Sequence, residues 1–165
     1  MYKMIKNNMI INDFQQFADI LILNSNIDLS KLELDHFGYQ TSSKEDYERL
    51  KVECMQLGSL VSENIVGGRR VGIFRFNIPF KYSSYLISGF ELVEPKEGQV
   101  CNSELDHLEF VINCTFDEYI ENNKDVEWDL TAKDRDEFAK IVIKFMNGKS
   151  IKFHTKNIFE EIPKE

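Results

Sequence analysis

The chain has 165 residues, of which 42% are hydrophobic and 29% charged, and this composition predicts one globular domain rather than a disordered chain. A formal charge of −8 excludes the protein classes that bind nucleic acid or an acidic membrane surface through non-specific positive charge. The longest uninterrupted apolar run is Ile20–Leu23, far short of the ~20 residues that a membrane helix needs. We therefore predict no nucleic-acid partner and no membrane partner.

The cysteines favour a reducing compartment. Cys54, Cys101 and Cys114 are an odd number at irregular spacing, and no two of them form a C-x-x-C pair. A free cysteine in a reducing compartment is usually a small buried hydrophobe. We predict a cytoplasmic protein, as a monomer or a homodimer.

The first half of the chain predicts a helix, a strand, a second helix and three further strands. Apolar residues at helical spacing, such as Ile10, Phe14 and Leu21, predict an amphipathic helix over residues 9–23. Residues 33–40 are typical of a strand, and the capping box Ser42-x-x-Glu45 predicts a helix that ends near Leu57. Three strands follow, with the turn signal Gly67-Gly68 between the first two; they cover residues 60–66, 71–78 and 85–93.

The second half repeats this order. Residues 105–113 are typical of a strand, and Thr115-x-x-Glu118 is a capping box that opens a short helix. A strand over residues 126–130 surrounds the only tryptophan, and the Asn147-Gly148 turn predicts a hairpin between residues 138–146 and 150–155. A helix over residues 134–146 also fits the apolar spacing, but the Asn-Gly turn favours the strand.

This repeated order predicts an α+β fold. Two βαβββ modules, at about residues 30–98 and 99–160, form one cupped mixed sheet within a single domain over residues 29–165. Residues 1–28 form an N-terminal helical extension of that domain.

An identical tetrapeptide marks the repeat. Glu-Leu-Asp-His occurs at residues 33–36 and again at residues 104–107, each time at a strand start shortly before a capping-box helix. A chance match of four residues is not rare in a chain of this length, but the shared context indicates an internal duplication.

The repeat predicts a metal site, because all three histidines of the chain lie at related positions. His36 and His107 are equivalent, and His154 lies in the last strand of the second half, where the first half has Glu91 after an identical Phe. If the halves pack about a pseudo-twofold axis, these four side chains converge. Imidazoles with a carboxylate suit a divalent ion such as Zn, Ni, Co, Fe or Mn, with one or two positions open for water or substrate.

Two further residues are candidates for the site. Strand alternation places Glu109 on the same face as His107, so Glu109 is an alternative acidic ligand, a general base, or a partner that holds a ligand histidine. The repeat ranks Glu91 narrowly ahead of Glu109 as the ligand. Arg75 lies on the predicted concave face and is a candidate for binding an anionic group of a substrate.

These residues resemble the vicinal-oxygen-chelate superfamily, which includes glyoxalase I, extradiol dioxygenases and methylmalonyl-CoA epimerase. The segment Phe90–Pro95 resembles the end-of-module signature of that superfamily, in which the first Glu is the usual ligand. Closer still, the segments 35–36, 106–109 and 152–154 resemble its YecM-like branch of bacterial proteins. The resemblance spans about residues 30–160 and leaves the N-terminal helix as an appendage. It implies the glyoxalase fold and a divalent ion, whereas His154, where glyoxalases usually carry Glu, departs from the glyoxalase pattern.

Two functions follow from this resemblance. The first is a metal-dependent isomerase, lyase or dioxygenase that acts on a small oxygen-rich substrate, with Glu109 as the general base. The alternative is a non-catalytic module that binds or senses a small molecule on the same fold. Fold-level analogy does not choose between them.

Overall fold

The computed structural model describes residues 8–163. The first seven residues of the predicted extension over residues 1–28, and the last two of the predicted domain over residues 29–165, lie outside the described residues. The elements in chain order are α1 (Phe14–Ser25), β1 (Glu33–Gln40), α2 (Lys44–Leu57), β2 (Gly58–Val66), β3 (Arg69–Tyr82), β4 (Tyr85–Val93), β5 (Glu104–Val111), α3 (Phe116–Asn122), β6 (Ile141–Lys144), β7 (Ser150–His154) and α4 (Ile158–Glu161).

All seven strands form one open mixed sheet in the order β2-β3-β4-β1-β5-β7-β6. Within the first half β1 is parallel to β4, within the second half β5 is parallel to β7, and the two halves join where β1 meets β5 antiparallel. This pairing places a pseudo-twofold axis between β1 and β5. The predicted α+β fold, with two modules in one mixed sheet, is therefore confirmed.

The second module is less regular than the first. The predicted strand over residues 126–130 is reduced to a single bridge between Asp129 and Val142. Residues 131–140 form turns and irregular backbone, and β6 and β7 form the hairpin predicted around Asn147-Gly148. The alternative helix over residues 134–146 is wrong, because the left-handed backbone of Gly148 (φ 81°) belongs to the hairpin turn that pairs these strands.

Helices α1, α2 and α3 pack on one face of the sheet, whereas α4 lies on the other face beside the cavity described below. Helix α2 begins at its N-cap Ser43, one residue later than the predicted cap, and buries the apolar stripe Tyr47, Leu50, Cys54 and Leu57. Beneath it, Phe74 stacks on Phe90 at 5.0 Å and Phe37 stacks on Phe90 at 5.9 Å between ring centroids. This aromatic layer holds β3, β4 and β1 together on the face opposite the candidate site. Within residues 8–163 no helix has the length and apolarity to cross a membrane.

Helix α1 belongs to this core rather than standing outside it. It begins at Phe14, later than the predicted helix over residues 9–23, and its Phe14, Ala18 and Leu21 are buried. The Phe14 ring lies 4.6 Å from the ring of Phe37, measured between centroids, and 5.4 Å from that of Tyr82. The helix that the resemblance leaves as an appendage therefore covers the middle of the sheet.

Replacing Phe14 tests whether α1 is part of the core. We expect Phe14→Ala to lower the free energy of unfolding by about 3–5 kcal/mol, because a fully buried aromatic ring leaves a cavity when it is removed. The matched control is Leu23→Ala in the same helix, whose side chain is 78% exposed and whose loss should change the free energy of unfolding by less than about 0.5 kcal/mol. Urea unfolding followed by circular dichroism measures both, and equal effects of the two substitutions would contradict the packing described here.

Candidate metal centre

Three neighbouring strands bring four candidate ligands together on the face opposite α1, α2 and α3. In the β4-β1-β5 order, Gly38 of β1 pairs with Glu91 on one side and His107 on the other, and the next rung pairs His36 with Glu109. Gly38 is required there, because a Cβ atom at this position would lie 2.0 Å from Cε1 of His107. The missing side chain makes room for the imidazole ring to reach the centre of the site.

The donor atoms of these side chains lie close together. Nε2 of His36 is 2.9 Å from Glu109 Oε2 and 3.3 Å from Glu91 Oε1. Nε2 of His107 is 3.3 Å from Glu91 Oε2 and 3.8 Å from Glu109 Oε1. Two ligands of one zinc-like ion, each about 2.0–2.2 Å from it, are roughly 3.0–3.5 Å apart. The spacing of the four donors therefore fits a single ion.

Unpartnered buried atoms support this fit. His36 Nε2, His107 Nε2 and Glu109 Oε1 are buried, and none has a hydrogen-bond partner of good geometry among the described residues. Buried polar atoms normally have hydrogen-bond partners, so three neighbouring buried atoms without such partners need an explanation. A divalent ion bound by one donor atom from each of His36, Glu91, His107 and Glu109 satisfies all three.

Each copy of the repeated tetrapeptide fixes its own histidine. Asp35 is the extra residue of a β-bulge in β1, and Asp106 is the extra residue of a bulge in β5. Asp35 Oδ2 lies 3.1 Å from Nδ1 of His36, and Asp106 Oδ2 lies 2.9 Å from Nδ1 of His107. A carboxylate behind Nδ1 orients an imidazole and leaves Nε2 free to bind a metal. The repeat therefore encodes both a ligand and the group that orients it.

Electrostatics in the site favour charged carboxylates. Burial raises the pKa values of Glu91 and Glu109, but the nearby imidazoles, and for Glu109 also the charge of Lys140, outweigh burial and hold both pKa values well below the ordinary value. Burial opposes a charge on His36 too, yet the carboxylates of Glu109 and Asp35 raise its pKa well above the ordinary value. Without a metal ion, a protonated His36 thus provides the positive charge that balances the neighbouring carboxylates.

His154 lies beside the four-donor set. Its Nε2 hydrogen-bonds to Asp35 Oδ1 at 3.0 Å, and its Nδ1 lies 3.7 Å from Glu109 Oε2. Asp35 also accepts a hydrogen bond from the backbone N–H of Ile158 at 2.8 Å, which anchors the start of α4. His154 thus shares Asp35 with His36, with which it forms a second, overlapping group of donors.

Arg75, the predicted substrate-binding residue, lies apart from the candidate metal ligands. Its side chain is exposed, and its guanidinium carbon stacks over the ring of Phe159 at 3.8 Å. Phe159 approaches the sheet where Gly89 has no side chain, since a Cβ atom there would lie 2.5 Å from the ring. Arg75 thus faces α4 and does not line the cavity described next.

The register of the sheet corrects one expectation from the repeat. The sequence analysis treats His154 as the equivalent of Glu91. In the first half, however, Glu91 lies opposite Gly38 of β1. The residue of β5 that corresponds to Gly38 is Glu109, and Glu109 lies opposite Lys152. The pseudo-equivalent of Glu91 is therefore Lys152, and His154 is two residues further along β7. The identical Phe before Glu91 and before His154 suggested the wrong alignment of the two strands. An alignment that is wrong by two residues still places both side chains on the same face of the sheet.

A cavity of about 480 Å³ opens over the site, and three of the four donor residues, Glu91, His107 and Glu109, line it. Residues of both edge strands line it, among them Asn64 of β2 and Lys144 of β6, so the sheet curves until its two edges face one space. Two lining residues that the sequence analysis missed are Lys140, which lies in irregular backbone, and Lys152. The volume is in the usual range for a small-molecule site.

Comparisons with known proteins agree with this architecture. The family model described as YecM protein matches residues 6–157. Protein YecM of Escherichia coli (strain K12) is 26% identical over 106 residues, and an uncharacterized protein of Haemophilus influenzae is 26% identical over 99 residues. These matches cover 62% and 60% of this chain but only 56% and 52% of the relatives, so the chain spans about half the length of the curated relatives it matches.

Solved structures show the same fold. A structural-genomics protein, Protein EC4020, has a TM-score of 0.72 at 21% identity, covering 91% of this chain and 86% of that chain. A variant of Streptomyces coelicolor methylmalonyl-CoA epimerase in complex with 2-nitronate-propionyl-CoA has a TM-score of 0.53 at 14% identity, covering 74% and 94%. The fold is thus that of the glyoxalase and vicinal-oxygen-chelate proteins.

The raised pKa of His36 predicts a definite pH dependence for the metal-free protein. A proton on His36 stabilises the folded state; this contribution is full below the ordinary histidine pKa of about 6.5 and is lost as the pH rises through the raised pKa. We expect His36→Gln, in the presence of a chelator, to lower the free energy of unfolding more at about pH 6 than at about pH 9.

Urea unfolding of both proteins at the two pH values measures this difference. The lowered pKa values of Glu91 and Glu109 contribute stability that is lost only as the pH falls below their ordinary range, so they do not change between these conditions. Leu23→Ala, an exposed site, is the pH-independent control. A larger effect of His36→Gln at the higher pH would contradict the electrostatics described here.

Proposed function

The chain belongs to the YecM family, and we propose that it binds one divalent metal ion through His36, Glu91, His107 and Glu109. The observation that carries this proposal is the convergence of unpartnered buried donors, two imidazole Nε2 atoms and one carboxylate oxygen, over a cavity. Two neutral imidazoles and two carboxylates suit Zn, Ni, Co, Fe or Mn, and they balance the charge of a divalent ion.

A small oxygen-rich molecule is the proposed ligand of the cavity. An ion with four protein ligands that prefers six leaves two positions, which two adjacent oxygens of one molecule can fill. Such an ion supplies Lewis-acid chemistry, since it polarises the bound oxygens and stabilises negative charge that develops on them. We infer a metal-dependent enzyme of the vicinal-oxygen-chelate type, an isomerase, lyase or dioxygenase, and a cytoplasmic location consistent with its three free cysteines.

Glu109 remains the proposed general base, through the carboxylate oxygen that does not bind the ion. It lies in the floor of the cavity and is the carboxylate next to His154, whose Nδ1 is 3.7 Å away and whose Nε2 is bound to Asp35. A proton accepted by Glu109 can therefore pass to a neighbouring imidazole that is already oriented by a carboxylate. The described contacts of Glu91 are with His36 and His107, and both of these imidazoles are proposed to bind the ion instead.

Substitution of single histidines tests the proposed metal site. We expect His36→Ala and His107→Ala each to abolish stoichiometric binding of zinc or nickel, because each removes one of four ligands from a buried site. The matched control is His154→Ala, which removes the third histidine but none of the four donors and should leave one ion bound. Elemental analysis after dialysis against each metal gives the stoichiometry. Metal binding that survives both His36→Ala and His107→Ala would place the site elsewhere.

A further inference from the structure

One wall of the cavity carries positive charge. Lys152 of β7 lies beside Glu109 in the β5–β7 ladder, and Lys140 precedes β6 on the same side. Both side chains are only partly exposed and both line the cavity. The opposite wall, contributed by β2 and β3, is partly apolar where it carries Ser62, Val71 and Ile73, and it carries Arg69 at the start of β3.

Neither ammonium group has a close partner within residues 8–163. The nearest carboxylate oxygen to Lys140 Nζ is Glu109 Oε1 at 3.9 Å, beyond hydrogen-bond distance, and Lys152 forms no ion pair with the described residues. Lys144, at the rim of the same cavity, is different because its Nζ lies 2.8 Å from Asp129 Oδ2. Among the described residues, Lys152 thus has no ion pair, and Lys140 has one long contact with a carboxylate that also faces His36.

The acids that line the cavity are already engaged. Glu91 and Glu109 contact the two imidazoles, Asp106 is bound to His107, and Asp129 is bound to Lys144. Glu161, the remaining lining acid, forms no ion pair among the described residues, and burial raises the pKa of its carboxyl group. Within residues 8–163, none of these carboxylates lies within hydrogen-bond distance of Lys140 or Lys152.

The two lysines also disfavour each other's charge. Burial and the positive charge of Lys140 together lower the pKa of Lys152. An anion between the two ammonium groups would relieve this repulsion. The pseudo-symmetry places Lys152 at the position where the first module has Glu91, so its side chain extends from the strand position of a proposed ligand.

We propose that Lys140 and Lys152 form an oxyanion-binding site for the carboxylate of a small ligand, whose neighbouring oxygen reaches the metal. This inference rests on the proposed function and narrows the substrate to a small carboxylic acid with an oxygen on the adjacent carbon. A carboxylate accepts charge-assisted hydrogen bonds from two ammonium groups at once. The cavity of about 480 Å³ suits a molecule of this size.

Binding of oxalate, a small probe with this pair of functions, tests the inference. Isothermal titration calorimetry of zinc-loaded protein should show one oxalate per chain. We expect Lys152→Met and Lys140→Met each to weaken oxalate binding by about tenfold or more, because each removes a charge-assisted hydrogen bond, while the affinity for zinc stays within about threefold. Lys152→Arg, which keeps the charge, should retain most of the affinity.

The matched control is Lys144→Met, which removes a rim lysine that is paired with Asp129 and whose side chain is 71% exposed. Its oxalate affinity should equal that of the unsubstituted protein. Absence of oxalate binding, or equal affinity in all three Lys→Met variants, overturns the inference while zinc binding still stands. If zinc does not bind, the proposed function fails, and titration of oxalate into metal-free protein then tests the anion site alone. Weak oxalate binding that is lost in Lys152→Met supports the anion site. Oxalate binding that is unchanged in Lys152→Met, or absent altogether, rejects it.

Discussion

Two β-bulges decide where the histidines of this protein point. Each Glu-Leu-Asp-His segment inserts its Asp as an extra residue in the central pair of strands, and the Asp then lies behind Nδ1 of the following His. Both imidazoles are thereby held with Nε2 directed at the same buried spot between β1 and β5. Buried nitrogen atoms without hydrogen-bond partners are unfavourable, and the proposed ion is what compensates them.

The two halves of the sheet have diverged around these shared histidines. Gly38 in the first half corresponds to Glu109 in the second, and Glu91 in the first corresponds to Lys152 in the second. Because Gly38 has no side chain, the His107 ring has space to reach the site. In the second half, Glu109 supplies a carboxylate at the position that corresponds to Gly38, and Lys152 supplies an ammonium group at the position that corresponds to Glu91. The duplicated scaffold therefore has the proposed ligand set in the middle and the ammonium groups of Lys140 and Lys152 along one wall. Such asymmetry fits a site that binds one end of a small anion in a fixed orientation.

Much of this arrangement could be predicted from the sequence. The tetrapeptide repeat, the capping boxes and the Asn147-Gly148 turn are local signals, and they predicted the two-module sheet and the pair His36 and His107. The sequence also placed Glu91 and Glu109 near these histidines, but as alternatives, whereas the structure brings both carboxylates to the same spot.

The rest depends on features that have no local signal. Strand register is set by pairing across the sheet, so the two-residue offset that makes Lys152 the counterpart of Glu91 could not be read from identical neighbouring residues. Lys140 lies in irregular backbone whose path follows from the bridge at Asp129. The packing of Phe14 on the sheet is a long-range contact, which an amphipathic pattern alone does not assign to a particular surface.

The most direct test of the central claim is crystallography of the protein soaked with zinc, with diffraction data collected on both sides of the zinc absorption edge. The account predicts one anomalous difference peak per chain, about 2.0–2.2 Å from His36 Nε2, His107 Nε2 and one oxygen each of Glu91 and Glu109. A peak centred between Asp35 and His154 instead would contradict it, and so would crystals at saturating zinc with no peak at the four donors.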